Sequence, residues 1–187
     1  NSRRDIVARL RIPADRVHTV HLAATKQFAP PAIPDPANSL RAKYGLPETY
    51  VLYLGGFQRR KNVRHLLAAW TWARSAMPEG CHLVIAGSLP VRPDGRLFRD
   101  LPAIAAEHGS AESVCFIGAV TEGDKPMLYQ GASCFVFPSS YEGFGLPPLE
   151  AMACGVPVVT TGAGSLTEVV GDAAYLVSDP TDARKLG

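Results

Sequence analysis

The sequence predicts an α/β domain built on a doubly wound, parallel, Rossmann-like sheet of about six strands. Three observations predict it. Short runs that are almost wholly apolar recur along the chain, as expected of strands buried on both faces. Segments with a helical apolar stripe separate them, so strand and helix alternate about six times. No repeat of fixed period is present, which argues against a solenoid or propeller.

In chain order, residues 1–11 predict a helix, with Ser2 as a possible cap and Ile6, Val7 and Leu10 as its stripe. Residues 17–22 predict a strand, which would point His18 and His21 to opposite faces and argues against a metal pair. Four prolines, Pro30, Pro31, Pro34 and Pro36, predict an extended connector. The expected organisation is a leading segment over 1–28, a Pro-rich linker over 29–38 and the sheet domain over 39–187. A short helix over 40–44 then stops at Gly45, and strand 50–54 follows. Val63, Leu66, Leu67, Trp70 and Ala73 mark a helix with Asn62 as its cap. Strands are expected at 81–86, 114–117, 134–137, 156–160 and 175–177. The helices between them are expected at 97–107, 124–131, after Gly145, and around Leu166, Val169 and Val170. No closing helix is expected before Gly187.

A chain of 187 residues accommodates one ordinary domain, or one domain with a fragment of another. Nineteen basic residues nearly balance seventeen acidic ones, so no global field suggests a nucleic-acid partner. No apolar run is long enough to span a bilayer. No secretory signal is visible, although the chain starts at Asn1 rather than Met. Cys81, Cys115, Cys134 and Cys154 form no C-x-x-C pair, and the histidines lack zinc-ligand spacing. Buried free thiols of a reduced compartment are the expectation.

Chemistry concentrates in two stretches. Residues 142–155 read Glu-Gly-Phe-Gly-Leu-Pro-Pro-Leu-Glu-Ala-Met-Ala-Cys-Gly. Adjacent prolines suit the first turn of a helix, and Gly155 with Pro157 would stop that helix about three turns later. Gly143 and Gly145 feed the helix start, where N–H groups and the dipole make an anion site. Glu142 precedes the loop and Glu150 lies inside the helix, so one carboxylate can flank each side of a bound ligand. A tight turn with solvated glutamates is the bland alternative. Residues 55–62 read Gly-Gly-Phe-Gln-Arg-Arg-Lys-Asn and place three cations at the start of a helix. Cations are unfavourable there unless an anion shares the space. Together the two stretches suit a diphosphate. Glu150 is placed for a ribose diol and Glu142 for hydroxyls beyond the second phosphate, which describes a nucleotide-diphosphate sugar.

From about residue 40 to 182 the chain resembles the C-terminal, donor-binding half of a GT-B, family-4-type (group 1) retaining glycosyltransferase. The stretches that carry the resemblance begin with Leu-Arg-Ala-Lys-Tyr-Gly-Leu-Pro, Tyr-Val-Leu-Tyr-Leu-Gly-Gly and Arg-Arg-Lys-Asn-Val. Leu-Val-Ile-Ala-Gly, Val-Cys-Phe-Ile-Gly-Ala-Val and the run from Phe135 to Val159 continue it, and that last run holds two glutamates with seven residues between them. The resemblance implies roles. Arg60 and Lys61 would contact the donor diphosphate, and Glu142 would bind sugar hydroxyls near the reacting carbon. Gly56, Gly143, Phe144, Gly145 and Leu146 would hold sugar and phosphate, Glu150 the ribose, and Ile117 and Gly118 would border the base.

The implied reaction transfers a hexosyl unit, mannosyl or glucosyl, from a GDP- or UDP-linked donor such as GDP-mannose or UDP-glucose to an acceptor hydroxyl with retention. Cations in place of an Asp-x-Asp motif imply no metal and no cofactor. Residues 1–28 resemble the end of an N-terminal acceptor domain, without which the chain would bind donor and not catalyse. The implied location is cytoplasmic, with peripheral contact at the inner membrane face left open. The competing readings are a non-catalytic Rossmann-like scaffold and a dinucleotide oxidoreductase. The second is weak, because Gly162-Ala-Gly164 lacks the third glycine.

Overall fold

A computed structural model describes residues 2–32, 34–89 and 100–187. Six strands form one parallel sheet: β1 (Thr49–Leu54), β2 (Cys81–Ala86), β3 (Val114–Gly118), β4 (Cys134–Phe137), β5 (Val158–Thr161) and β6 (Tyr175–Val177). Their order is β3-β2-β1-β4-β5-β6, so β1 and β4 lie side by side at the sheet's centre. Burial explains their apolar runs. Tyr50, Leu52, Tyr53, Leu83, Phe135 and Phe137 are fully buried, and Phe137 stacks between Tyr53 and Phe135.

The helices are α1 (Ser2–Leu10), α2 (Asn38–Tyr44), α3 (Val63–Ala73), α4 (Leu101–Glu107), α5 (Lys125–Gln130), α6 (Leu146–Ala153), α7 (Leu166–Val170) and α8 (Ala183–Leu186). The chain winds outward from β1 in one direction and from β4 in the other. Right-handed crossovers therefore place α3 and α4 on one face and α6 and α7 on the other. The observed neighbours agree: α3 packs on α4 and α8, whereas α6 packs on α5 and α7.

Several expectations are corrected. Residues 17–22 form no strand; most are exposed and no strand pairs with them, so a short run of β-branched and apolar residues alone was not enough. Ser2 lies inside α1 rather than capping it, and α1 buries none of its residues. A closing helix does exist: Asp182 accepts from the amides of Arg184 and Lys185, which nucleates α8. The helix predicted at 97–107 lies partly outside the described residues, and its described part starts at Leu101, capped by Asp100. Helix α6 makes about two turns, not three, before Gly155 takes φ 77° beyond its end.

The segment before α2 packs on the domain. Phe28 is buried with its ring edge-on to Tyr129 at 5.9 Å, and Gln130 donates to the Ala29 carbonyl at 2.7 Å. Ala37 is fully buried against Gly131, where a Cβ would fall 2.4 Å from its own. All four cysteines are free; Cys81 and Cys154 are buried, and Cys115 and Cys134 half-buried. Among the described residues no helix is long and apolar enough to cross a membrane.

Candidate functional site

Strand order sets the site. Where the order reverses, the loops leaving β1 and β4 diverge to opposite faces and open a crevice at the strands' carboxyl ends. The β1 loop carries residues 55–62 and the β4 loop residues 138–145. Both motifs read from the sequence therefore meet at one place. The loops are tied directly: the Ser140 amide donates to the Arg60 carbonyl at 2.7 Å. Asn62 supplies the second tie. It takes the left-handed conformation at φ 53° after a 3-10 turn at Arg59–Lys61, which asparagine tolerates better than most residues. Its side chain does not cap α3, as expected from sequence, but donates to the Pro138 carbonyl at 2.9 Å and the Ser140 hydroxyl at 2.5 Å.

Three charged groups converge there. Lys61 is buried, with its ammonium 2.6 Å from Glu142 Oε1 and 4.5 Å from the centre of the Phe137 ring. Arg60 Nη1 donates to the same oxygen at 2.9 Å and to the Tyr141 carbonyl at 2.7 Å. The Arg60 side chain stays 45% exposed, against 12% for Glu142. Burial by itself would raise the Glu142 carboxyl. Hydrogen bonds from Lys61 and the Ser139 hydroxyl, the charge of Lys61 and the Arg60 guanidinium outweigh it and hold the carboxyl below its ordinary value.

Beyond Glu142 the chain turns into α6. Gly143 is exposed and a Cβ there would meet nothing within 4 Å, so the loop offers bare backbone to solvent. Gly145 sits at φ 116°, and a Cβ would lie 2.7 Å from the buried Leu166 side chain. No side chain caps the N-terminus of α6. Pro147 and Pro148 carry no N–H and the Leu149 amide donates to the Gly145 carbonyl at 3.4 Å, so the first turn of α6 leaves the Leu146 amide to the crevice.

Glu150 sits one turn further on in a different environment. Its Oε2 accepts from the Tyr129 hydroxyl at 3.1 Å. Burial raises its carboxyl above the ordinary value, against the lowering effect of Tyr129 and the Lys125 charge. Ile117 and Gly118 end β3, two strands away from the Glu142 cluster. Gly118, at φ 73°, accepts from the Gly87 amide at 2.7 Å. Gly56 opens the β1 loop, and its carbonyl accepts from the buried Tyr53 hydroxyl at 2.5 Å.

Sequence reasoning missed the residues that hold the glutamate loop in shape. The Ser165 hydroxyl lies 2.9 Å from the Glu142 carbonyl and 2.8 Å from that of Phe144. Thr161 donates to the Ser139 carbonyl at 2.5 Å. Gly164 approaches so closely that a Cβ would fall 2.8 Å from the Glu142 carbonyl. The Gly162-Ala-Gly164 sequence therefore buttresses this loop and does not form a dinucleotide turn. No signal short of the fold marks such polar residues, since each looks like ordinary loop chemistry. Among the described residues no three His, Cys, Asp or Glu side chains gather where a metal could be held.

Comparison with known proteins identifies the family and the fold. The family model described as glycosyl transferases group 1 matches residues 37–186. The chain is 41% identical over 185 residues to the O-antigen chain mannosyltransferase B of Escherichia coli, covering 97% of this chain and 46% of that protein. It is 31% identical over 150 residues to a mannosylfructose-phosphate synthase of Agrobacterium fabrum, covering 79% and 33%. Among solved structures, sucrose-phosphate synthase from Thermosynechococcus elongatus superposes with a TM-score of 0.75 at 31% identity, over 100% of this chain and 45% of that one. The C-terminal domain of a glycosyl transferase group 1 protein from Francisella tularensis shares the fold, with a TM-score of 0.68 at 21% identity, over 88% and 83%. The chain spans less than half the length of the curated relatives it matches. It belongs to the group 1 glycosyl transferases, and its sheet is one Rossmann-like half of the GT-B type.

Proposed function

We propose that this group 1 glycosyl transferase chain is the donor-binding half of a retaining enzyme that transfers a hexosyl unit from a nucleotide-diphosphate sugar to an acceptor hydroxyl. One observation carries the reading: at the point where strand order reverses, two cations from one loop meet the carboxylate and open helix start of the next. The mannosyltransferase name of the Escherichia coli relative supports mannosyl as the transferred unit.

The residues divide the work by charge. Bond breaking leaves negative charge on the departing diphosphate and positive charge on the sugar. Arg60, Lys61 and the Leu146 amide at the start of α6 are prepositioned for the first. The diphosphate competes with Glu142 for the two cations, so donor binding frees the carboxylate for sugar hydroxyls. Gly143 admits the donor because its backbone is bare, and Phe144, Gly145 and Leu146 shape the cradle around it. Tyr129 holds Glu150 by one oxygen and leaves the other for the ribose diol. Protein cations take the place of a divalent ion, so the reading requires no metal.

Residues 1–28 belong with the acceptor-binding half, and α1, none of whose residues is fully buried within this chain, supports that placement. The acceptor and the opposite wall of the cleft come from that half, so 39–187 alone binds donor without turning it over. Four free cysteines fit a cytoplasmic location. Calorimetric titration of this chain with GDP and UDP tests the reading. Binding of at least one is expected, and failure of both at millimolar concentration overturns it.

A further inference from the structure

The residues that hold Glu150 lead back to the start of the chain. Among the described residues, the Tyr129 hydroxyl is the one hydrogen-bond donor to Glu150, at 3.1 Å from Oε2. Tyr129 is fully buried, and two rings meet it edge to face. Phe135 of β4 lies 5.2 Å away at an interplanar angle of 81°, and Phe28 lies 5.9 Å away at 67°. Phe135 belongs to the sheet, whereas Phe28 reaches in from the leading segment. Of the described residues ahead of Pro36, Phe28 alone is buried.

The contacts around Phe28 continue along the chain. Gln130, next after Tyr129, donates to the Ala29 carbonyl at 2.7 Å. The Ala29 backbone hydrogen-bonds the Cys154 thiol, just past the end of α6. A Cβ on Gly155 would lie 4.0 Å from that of Pro30. The linker is therefore seated on the ends of α5 and α6, the helices that carry Tyr129 and Glu150. A tyrosine ring turns about two torsions, and its hydroxyl, farthest from the backbone, moves most when the ring swings. Rings packed on both sides hold that hydroxyl in one place. The hydroxyl fixes Oε2 of Glu150, and so sets the direction of Oε1, the oxygen left for the ribose. Such a carboxylate binds best when its orientation is set before the ligand arrives.

We infer that Phe28 is a positioning residue for the ribose: it holds Tyr129, which aims Glu150 at the diol. The inference rests on the nucleotide-sugar reading above, with Glu150 as the group that meets the ribose. The leading segment, assigned to the acceptor half, thereby acts on donor recognition through a single buried side chain. Removing that side chain empties the space beside the Tyr129 ring and releases the hydroxyl. Arg60 and Lys61 sit on the β1 loop and make their contacts with the β4 loop, so the phosphate contacts do not pass through Phe28. The signature is lost selectivity for the diol rather than a uniform loss of affinity.

The test is calorimetry on this chain with GDP and UDP, and with the 2′,3′-dideoxy analogue of whichever binds tighter. The analogue lacks the diol. Wild type is expected to favour the diol at least about tenfold, in line with hydrogen bonding to a charged group. In Phe28→Ala, shown folded by a thermal melt, that preference should fall to within about threefold. Tyr129→Phe keeps the ring, removes only the hydroxyl, and should do the same. Adding Phe28→Ala to Tyr129→Phe should lower the preference no further, because both changes act through one bond. A wild type indifferent to the diol, a preference that survives either single change, or a further fall in the double variant overturns the inference and leaves the nucleotide-sugar reading standing. A structural role alone for Phe28 would weaken both ligands equally and so leave the preference intact. If neither GDP nor UDP binds wild type, the nucleotide-sugar reading itself falls, and this inference with it. Tyr129→Phe leaves the packing in place, so poor folding of Phe28→Ala does not protect the proposal.

Discussion

Glu142 and Glu150 are eight residues apart in sequence and both half-buried, yet their surroundings push them in opposite directions. Glu142 faces an ammonium and a guanidinium that together overcome the cost of its burial. Glu150 has a tyrosine hydroxyl as its hydrogen-bond partner, and burial dominates. The first carboxylate is part of what holds the two loops together. The second is held in a state less comfortable than water would offer. One helix start thus separates a group that stabilises the empty site from one that weakens it.

The largest test of this contrast is Lys61→Ala. Breaking a buried ion pair leaves the remaining charge uncompensated, and the exposed Arg60 covers Glu142 only in part. A loss of about 3 kcal/mol in chemical denaturation is expected. Where the chain stays folded, calorimetry should show diphosphate affinity falling more than monophosphate affinity. Equal losses would remove Lys61 from the second phosphate.

Glu142→Gln should cost about 1–2 kcal/mol at neutral pH, because two charge-assisted bonds become ordinary ones. Its pH dependence gives the sign. The folded carboxyl lies below its unfolded value, so its contribution is complete above the unfolded pKa of about 4.3 and is lost as pH falls through the folded value. Acid melts should show wild type losing stability more steeply than Glu142→Gln in that window. Parallel curves would mean that the pair stabilises nothing.

Ser165→Ala probes the loop rather than the charges. Removing a hydroxyl that serves two loop carbonyls should cost about 1 kcal/mol in denaturant midpoint. It should also weaken donor binding, since Glu142 and Phe144 lose their shared anchor. Weakened stability with unchanged binding would show that the loop holds its shape without it.

Glu150→Gln carries the smallest effect and the sharpest sign. A raised carboxyl opposes folding increasingly as pH rises through its unfolded value, and fully above its folded value. Neutralising it should therefore stabilise the empty chain at neutral pH by about 0.5 kcal/mol, read as a small rise in Tm, while nucleotide affinity drops. A fall in Tm would show that the Tyr129 bond, not burial, governs this position.

Much of the fold was legible because parallel strands buried on both faces are written as local apolar runs. The strand positions 81–86, 134–137 and 175–177 match the structure to the residue. Residues 17–22 show the limit: their residue types say nothing about whether a partner strand exists. Asn62 shows another, since its residue type suits both a helix cap and the left-handed turn it takes.

By itself, the sequence determined the alternation of strands and helices, the glycine-rich start of α6 and the residue types of both loops. These depend on neighbours a few positions away, through backbone preference and the period of apolar residues. Only the tertiary structure decided that β1 and β4 are adjacent, that Arg60 and Lys61 meet Glu142 across more than eighty residues, and that the two glutamates are pulled opposite ways. Strand order and burial arise from packing between distant segments, and a carboxyl's charge balance follows from what that packing places around it.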